Sequence, residues 1–133
     1  MKRRSFLNKG ILSTIGLTAL FPTLAKKQSK PKVPGKFMHM VFFWLKETTD
    51  VTEFKKSTEN LMLGIDSVVS YHVGEPAGTP REVVDNSYTV CLVATFDSKR
   101  DQDAYQVDPI HLKYVEENSD KWHKVQIYDS WAG

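Results

Sequence analysis

FMHMVFFWLK, residues 37–46, is the stretch on which the fold turns. A period of two places His39, Val41, Phe43 and Leu45 on one face and Met40, Phe42 and Trp44 on the other. Both faces are apolar, so the segment is predicted as a strand covered on both sides. Such a strand needs two packing partners.

The first partner lies immediately downstream. In TTDVTEFKKSTENLMLGID, Asp50 with Glu53 three residues on is a capping-box-like start. Phe54, Leu61, Met62 and Ile65 then recur at helical spacing on one face. VVSYHVG, residues 68–74, and YTVCLVATF, residues 88–96, read as two further strands joined by a polar, turn-rich loop. In the latter, Tyr88, Val90, Leu92, Ala94 and Phe96 share one face and Thr89, Cys91, Val93 and Thr95 the other. Ser98 with Asp101 marks a second helix start, with Ala104, Tyr105 and Val107 expected inward. Asp108-Pro109 breaks that helix, because proline disfavours helical geometry in the residue before it and suits the first turn of a new one. IHLKYVEEN continues as helix, and KVQIYDS closes the chain as a strand near residues 125–130.

Strand, helix, strand, strand, helix, strand is the ferredoxin-like order. The fold class is therefore α+β, a four-stranded antiparallel sheet with its helices on one face. Met40, Phe42, Trp44, Cys91 and Val93 then fall on the uncovered face. That face predicts a second subunit, and hence a homodimer.

The first 25 residues read differently. Lys2, Arg3, Arg4 and Lys9 precede the apolar run ILSTIGLTALFPTLA, which at 15 residues is short for a bilayer span. Arg3, Arg4, Phe6 and Leu7 resemble a twin-arginine export signal, with Thr23-Leu24-Ala25 as its cleavage site. A general secretory signal or an uncleaved anchor is the alternative. Either one leads to an exported domain, periplasmic in a bacterium, with no membrane role beyond the signal. Residues 26–36, KKQSKPKVPGK, read as a flexible linker, leaving 37–133 as the folded domain.

Of the 18 Lys and Arg, four lie within residues 1–25, so 14 basic side chains face 16 acidic ones in the remainder. A net charge of −2 gives no electrostatic case for nucleic acid. The single cysteine, Cys91, excludes an internal disulfide. After the signal about 108 residues remain, enough for one core.

Chemistry concentrates in DAYQVDPIH, residues 103–111. A histidine exchanges protons near neutral pH, and a tyrosine hydroxyl can hold or polarise a carbonyl oxygen. The break at Asp108-Pro109 can aim Tyr105 and His111 at one spot, and His39 on the first strand can reach the same pocket. Packing is the competing explanation: Asp108 is a good N-cap, and buried rings often only satisfy their polar tips. His72 and His123 are isolated and read as surface or packing residues.

HMVFFWLK, VVSYHVGEPA, SYTVCLVATFDS, DAYQVDPIHLKYV and VQIYD, in that order, resemble the stress-responsive alpha/beta-barrel (Dabb) family over residues 37–130. The resemblance implies a ferredoxin-like subunit that dimerises sheet to sheet into a barrel. One member of the family, olivetolic acid cyclase, closes a polyketide chain by an aldol reaction. The likeness to it implies catalytic roles for His111 as general base, for Tyr105 on the substrate carbonyl, and for His39. Two histidines of the cyclase are replaced here by Asp108 and Val90, which alters the pocket more than the fold.

Three functions follow from these readings. The first is an exported domain that binds a small carbonyl-containing organic molecule, or transforms it as a cyclase- or lyase-like acid-base enzyme, without a cofactor. The second is a non-catalytic stress or envelope dimer. The third is haem or metal binding through His111 or His39, because related dimeric barrels include haem-handling enzymes; the chain has no paired-cysteine or paired-histidine metal spacing.

Overall fold

The computed structural model describes Gly16 and residues 27–133. The proposed signal, residues 1–25, thus lies outside the described residues except for Gly16. The elements are β1 (Phe37–Leu45), α1 (Val51–Gly64), β2 (Ser70–Gly74), β3 (Val90–Phe96), α2 (Lys99–Val107), α3 (Pro109–Asn118), a short 3₁₀ turn (Ser119–Lys121) and β4 (Trp122–Trp131). All strand pairs are antiparallel in the order β2-β3-β1-β4, which is the ferredoxin-like sheet.

β1 alternates buried and half-buried residues along its length, with His39, Val41, Phe43 and Leu45 on the buried side. Against that side pack Phe54, Leu61 and Met62 of α1, Tyr105 of α2 and Tyr114 of α3, together with Val90, Leu92, Ala94 and Phe96 of β3. The Asp50 carboxylate accepts from the Glu53 N–H at 3.1 Å and Ser98 Oγ from the Asp101 N–H at 3.1 Å, so both helix starts are capped as their sequences require.

Two inward assignments in α2 are corrected. Ala104 and Val107 are exposed, and Gln102 is buried with Tyr105. In a nine-residue helix the buried stripe is one residue wide, and the i, i+3 pair Gln102 and Tyr105 occupies it. Tyr105 anchors that stripe against Phe96, with ring centroids 5.2 Å apart. β2 begins at Ser70, two residues after its expected start, because the Val68 N–H turns back to the Ile65 carbonyl.

The outer face of the sheet is partly covered from within the chain. Tyr88, expected on the inner face with Val90, precedes β3 and instead packs edge-on against Phe42 at 5.0 Å, and Lys124 lies 4.3 Å over the Trp44 ring. Tyr128 remains largely exposed, beside Met40 in the β1-β4 register. At the entry to β1 the chain is held closely: the Lys36 N–H donates to the Phe96 carbonyl and the Ala132 N–H to the Lys36 carbonyl. Gly35 precedes this with φ 88°, where a Cβ would meet the Thr95 side chain at 2.9 Å.

A candidate active site between the sheet and the broken helix

The break between α2 and α3 is built by three bonds. The Asp108 N–H donates to the Tyr105 carbonyl at 3.2 Å, closing α2. The Asp108 carboxylate accepts from the Ile110 N–H at 2.8 Å, and the Leu112 N–H donates to the Asp108 carbonyl, opening α3. Asp108 itself has extended backbone (φ −62°, ψ 131°), as the residue before Pro109 prefers.

The result brings Tyr105 and His111 together. Their ring centroids are 4.4 Å apart and tilted by 41°. His39 approaches Tyr105 from the sheet side at 5.9 Å, edge to face. All three line one cavity of about 350 Å³, whose remaining wall is mostly apolar and aromatic, including Val41, Phe43, Leu92, Val115, Trp122 and Ile127. Trp122 reaches the cavity because a bulge at Trp44/Leu45 sets it opposite Leu45 on the inner face. Taking roughly 30 Å³ as one water's share of liquid volume, the cavity has room for about ten water-sized groups. His72 and His123 are exposed and lie away from this wall.

Hydrogen bonding sets the state of each polar group. Nδ1 of His111 lies 3.2 Å from the Gln106 carbonyl, which can only accept, so that nitrogen carries the proton. Nδ1 of His39 lies 2.6 Å from Oδ1 of Asp129, its cross-strand partner on β4. The Asp129 side chain is 45% exposed and the His39 side chain 4%. No protein atom among the described residues bonds the Tyr105 hydroxyl or Nε2 of His39. Among the described residues no fully enclosed side-chain polar atom lacks a partner, so both atoms reach the open space of the cavity.

Burial holds the His111 pKa below the usual 6.5, and His39 pushes it the same way; the Gln106 carbonyl and Asp108 oppose them less strongly. His111 is therefore neutral at pH 7, with a lone pair on Nε2. Burial, with Tyr114 nearby, pushes the Tyr105 hydroxyl far above 10, so it stays a donor. The site thus offers a base and a hydrogen-bond donor beside one apolar space, which is what proton removal next to a carbonyl requires. Among the described residues no group of three or more His, Cys, Asp or Glu is placed to hold a metal ion.

The structure gathers His39, Tyr105 and His111 on one cavity and adds Asp129, which the sequence reading does not single out. Its signal was present: Asp129 shares the parity of Val125 and Ile127 on β4, so it is a carboxylate on the inward face of a strand. Only the strand register shows that it meets His39.

A family model described as Stress responsive A/B Barrel Domain matches residues 37–132. A stress-response A/B barrel domain-containing protein of Arabidopsis thaliana is 32% identical over 78 residues, covering 59% of this chain and 69% of that protein. Among solved structures, a hydroxynitrile lyase from Passiflora edulis superposes with a TM-score of 0.66 at 18% identity, covering 76% of this chain and 96% of that one. A protein from Thermobifida fusca described as dimeric and ferredoxin-like, of unknown function, gives 0.61 at 18% identity, covering 77% and 96%. Likeness at this identity shows the fold.

Proposed function

The chain belongs to the stress-responsive A/B barrel domain family, and from that premise we propose that its cavity binds a small carbonyl-containing organic molecule and acts on it by acid-base chemistry. His111 Nε2 takes a proton from the carbon next to the carbonyl, and the Tyr105 hydroxyl donates a hydrogen bond to the oxygen on which negative charge develops. His39 lines the same space beside Tyr105. The observation that carries the reading is the meeting of a neutral imidazole and an unpartnered phenol across a helix break, on one apolar cavity. A hydroxynitrile is the cyanide adduct of a carbonyl compound, so the name of the Passiflora edulis neighbour suggests mandelonitrile and benzaldehyde as probes beside enolisable ketones.

The test is exchange of the α-protons of acetophenone and pentane-2,4-dione in deuterated water, with cleavage of mandelonitrile followed in parallel. The signal-free protein is expected to accelerate at least one of these, and His111→Ala to lose roughly 10²–10⁴-fold of the acceleration. Acceleration that survives in His111→Ala removes the base. No acceleration, with no probe bound, favours a non-catalytic dimer instead.

The dimer is part of the same proposal. Half-buried Met40, Phe42 and Trp44 and exposed Tyr128 form the outer sheet face, and the Thermobifida fusca neighbour is described as dimeric. Sedimentation of the signal-free chain is expected to give twice the monomer mass, with Phe42→Glu shifting it to monomer. We also propose export directed by residues 1–25, which replacement of Arg3 and Arg4 by lysine is expected to block in cell fractionation.

A further inference from the structure

We infer that Asp129 is a positioning residue that locks His39 with its proton on Nδ1, so that His39 Nε2 stands in the cavity as a hydrogen-bond acceptor for a hydroxyl on the ligand. The ligand part of this inference rests on the carbonyl reading of the cavity; the Asp129 part does not.

An ionised carboxylate only accepts, and the Asp129 side chain is 45% exposed to water. Its contact with Nδ1 of His39 therefore requires the proton on that nitrogen. Free neutral imidazole carries its proton on either nitrogen, and burial alone would not select between them. The carboxylate selects, as the partner of one ring nitrogen generally sets the role of the other. His39 is 3% exposed and sits on the central strand, bonded on both sides to neighbouring strands, so its ring has little freedom to turn away.

In the neutral ring Nε2 then has a lone pair, no protein partner among the described residues and access to the open space. Beside His39, with ring centroids 5.9 Å apart, the Tyr105 hydroxyl is a donor without a partner among the described residues. A ligand that satisfies both carries an acceptor for Tyr105 and a donor for His39. The carbonyl oxygen is the acceptor. The donor is a hydroxyl, because a charged ammonium would have no carboxylate in the cavity wall to meet it. The class that fits is a neutral hydroxy-carbonyl compound, a phenolic aldehyde or ketone being the simplest example. Selection works in the way a polar pocket rejects the analogue lacking its hydroxyl.

The tautomer is read by long-range proton–nitrogen correlation of the imidazole nitrogens in the dimeric, signal-free protein at about pH 9, above the ordinary range of imidazole titration. The expected spectrum of the unmodified protein shows His39 protonated on Nδ1, with Nε2 bare; in Asp129→Ala a substantial share of the proton moves to Nε2. A His39 proton on Nε2 in the unmodified protein overturns the inference without recourse to any variant. An unchanged pattern in Asp129→Ala overturns the role of the carboxylate. The ligand class is tested by calorimetry with benzaldehyde against its three monohydroxy isomers. At least one isomer is expected to bind about tenfold more tightly than benzaldehyde, with the gain falling to about twofold in Asp129→Ala. Equal affinities overturn the hydroxyl assignment. Failure of every probe to bind removes the carbonyl reading and the hydroxyl assignment with it, while the tautomer result stands or falls independently.

Discussion

Tyr105 and Tyr114 lie nine residues apart, on successive helices, both buried against the same sheet and both lining the same cavity. Their hydroxyls have opposite fates. Tyr114 donates to Thr58 Oγ1 at 2.7 Å, and Thr58 passes its own proton to the Phe54 carbonyl at 2.8 Å. Asn118 closes this end by donating to the Tyr114 carbonyl at 2.8 Å and accepting from Lys121 Nζ at 3.0 Å. Burial still pushes the Tyr114 hydroxyl up to about 12, and Thr58 offsets only part of that. At the other end Tyr105 has neighbours but no partner: two imidazole rings stand beside it, and neither bonds its oxygen. A structure that satisfies one buried phenol and leaves the next open to a cavity distinguishes a structural end from an end prepared for something else.

The comparison can be broken most forcefully at the closed end. Thr58→Val removes both bonds of the Thr58 hydroxyl at nearly constant volume and leaves the Tyr114 oxygen buried without a partner. The expected loss is about 1–3 kcal/mol of unfolding free energy, measured in denaturant at fixed protein concentration. A loss under about 0.5 kcal/mol would mean that the closed end is not held by its hydrogen bonds.

The open end should answer to pH instead. The His111 pKa lies below 6.5 in the folded chain, held down first by burial and then by His39. Above 6.5 the ring is neutral folded or unfolded and contributes no pH dependence. As pH falls through 6.5 the unfolded chain takes up the proton first, so stability is lost from there down to the lower folded value. Unfolding curves are expected to show this decline in the unmodified protein and a smaller one in His111→Ala. Identical declines would place His111 in a solvent-like setting, at odds with its burial.

How far these two ends were legible in the sequence differs for a physical reason. Strand parity and capping residues are local, so β1, the starts of α1 and α2, and the break at Asp108-Pro109 could all be read from neighbours along the chain. The ferredoxin-like order followed from those elements. The inward residues of α2 were misread at Ala104 and Val107, because nine residues hold too few turns for periodicity to fix the buried stripe. The approach of Tyr105 to His111 follows from the break, and that of His39 from its parity with Val41 and Phe43 on β1. Asp129 was not legible in this way, since its bond to His39 spans 90 residues and depends on the pairing of β1 with β4. The Thr58–Tyr114 bond spans 56 residues and was missed for the same reason.

The most direct measurement is the paired deletion of the two hydroxyls, Tyr105→Phe and Tyr114→Phe, each compared with the unmodified protein lacking residues 1–25 by denaturant unfolding at one protein concentration. Tyr114→Phe is expected to cost about 1 kcal/mol, the ordinary worth of a buried hydrogen bond. Tyr105→Phe is expected to change stability by less than about 0.5 kcal/mol, or to raise it, because its hydroxyl contributes no bond to the fold. A cost of about 1 kcal/mol or more at Tyr105 would show its hydroxyl bonded within the folded protein and would contradict the account of an open, ligand-facing end.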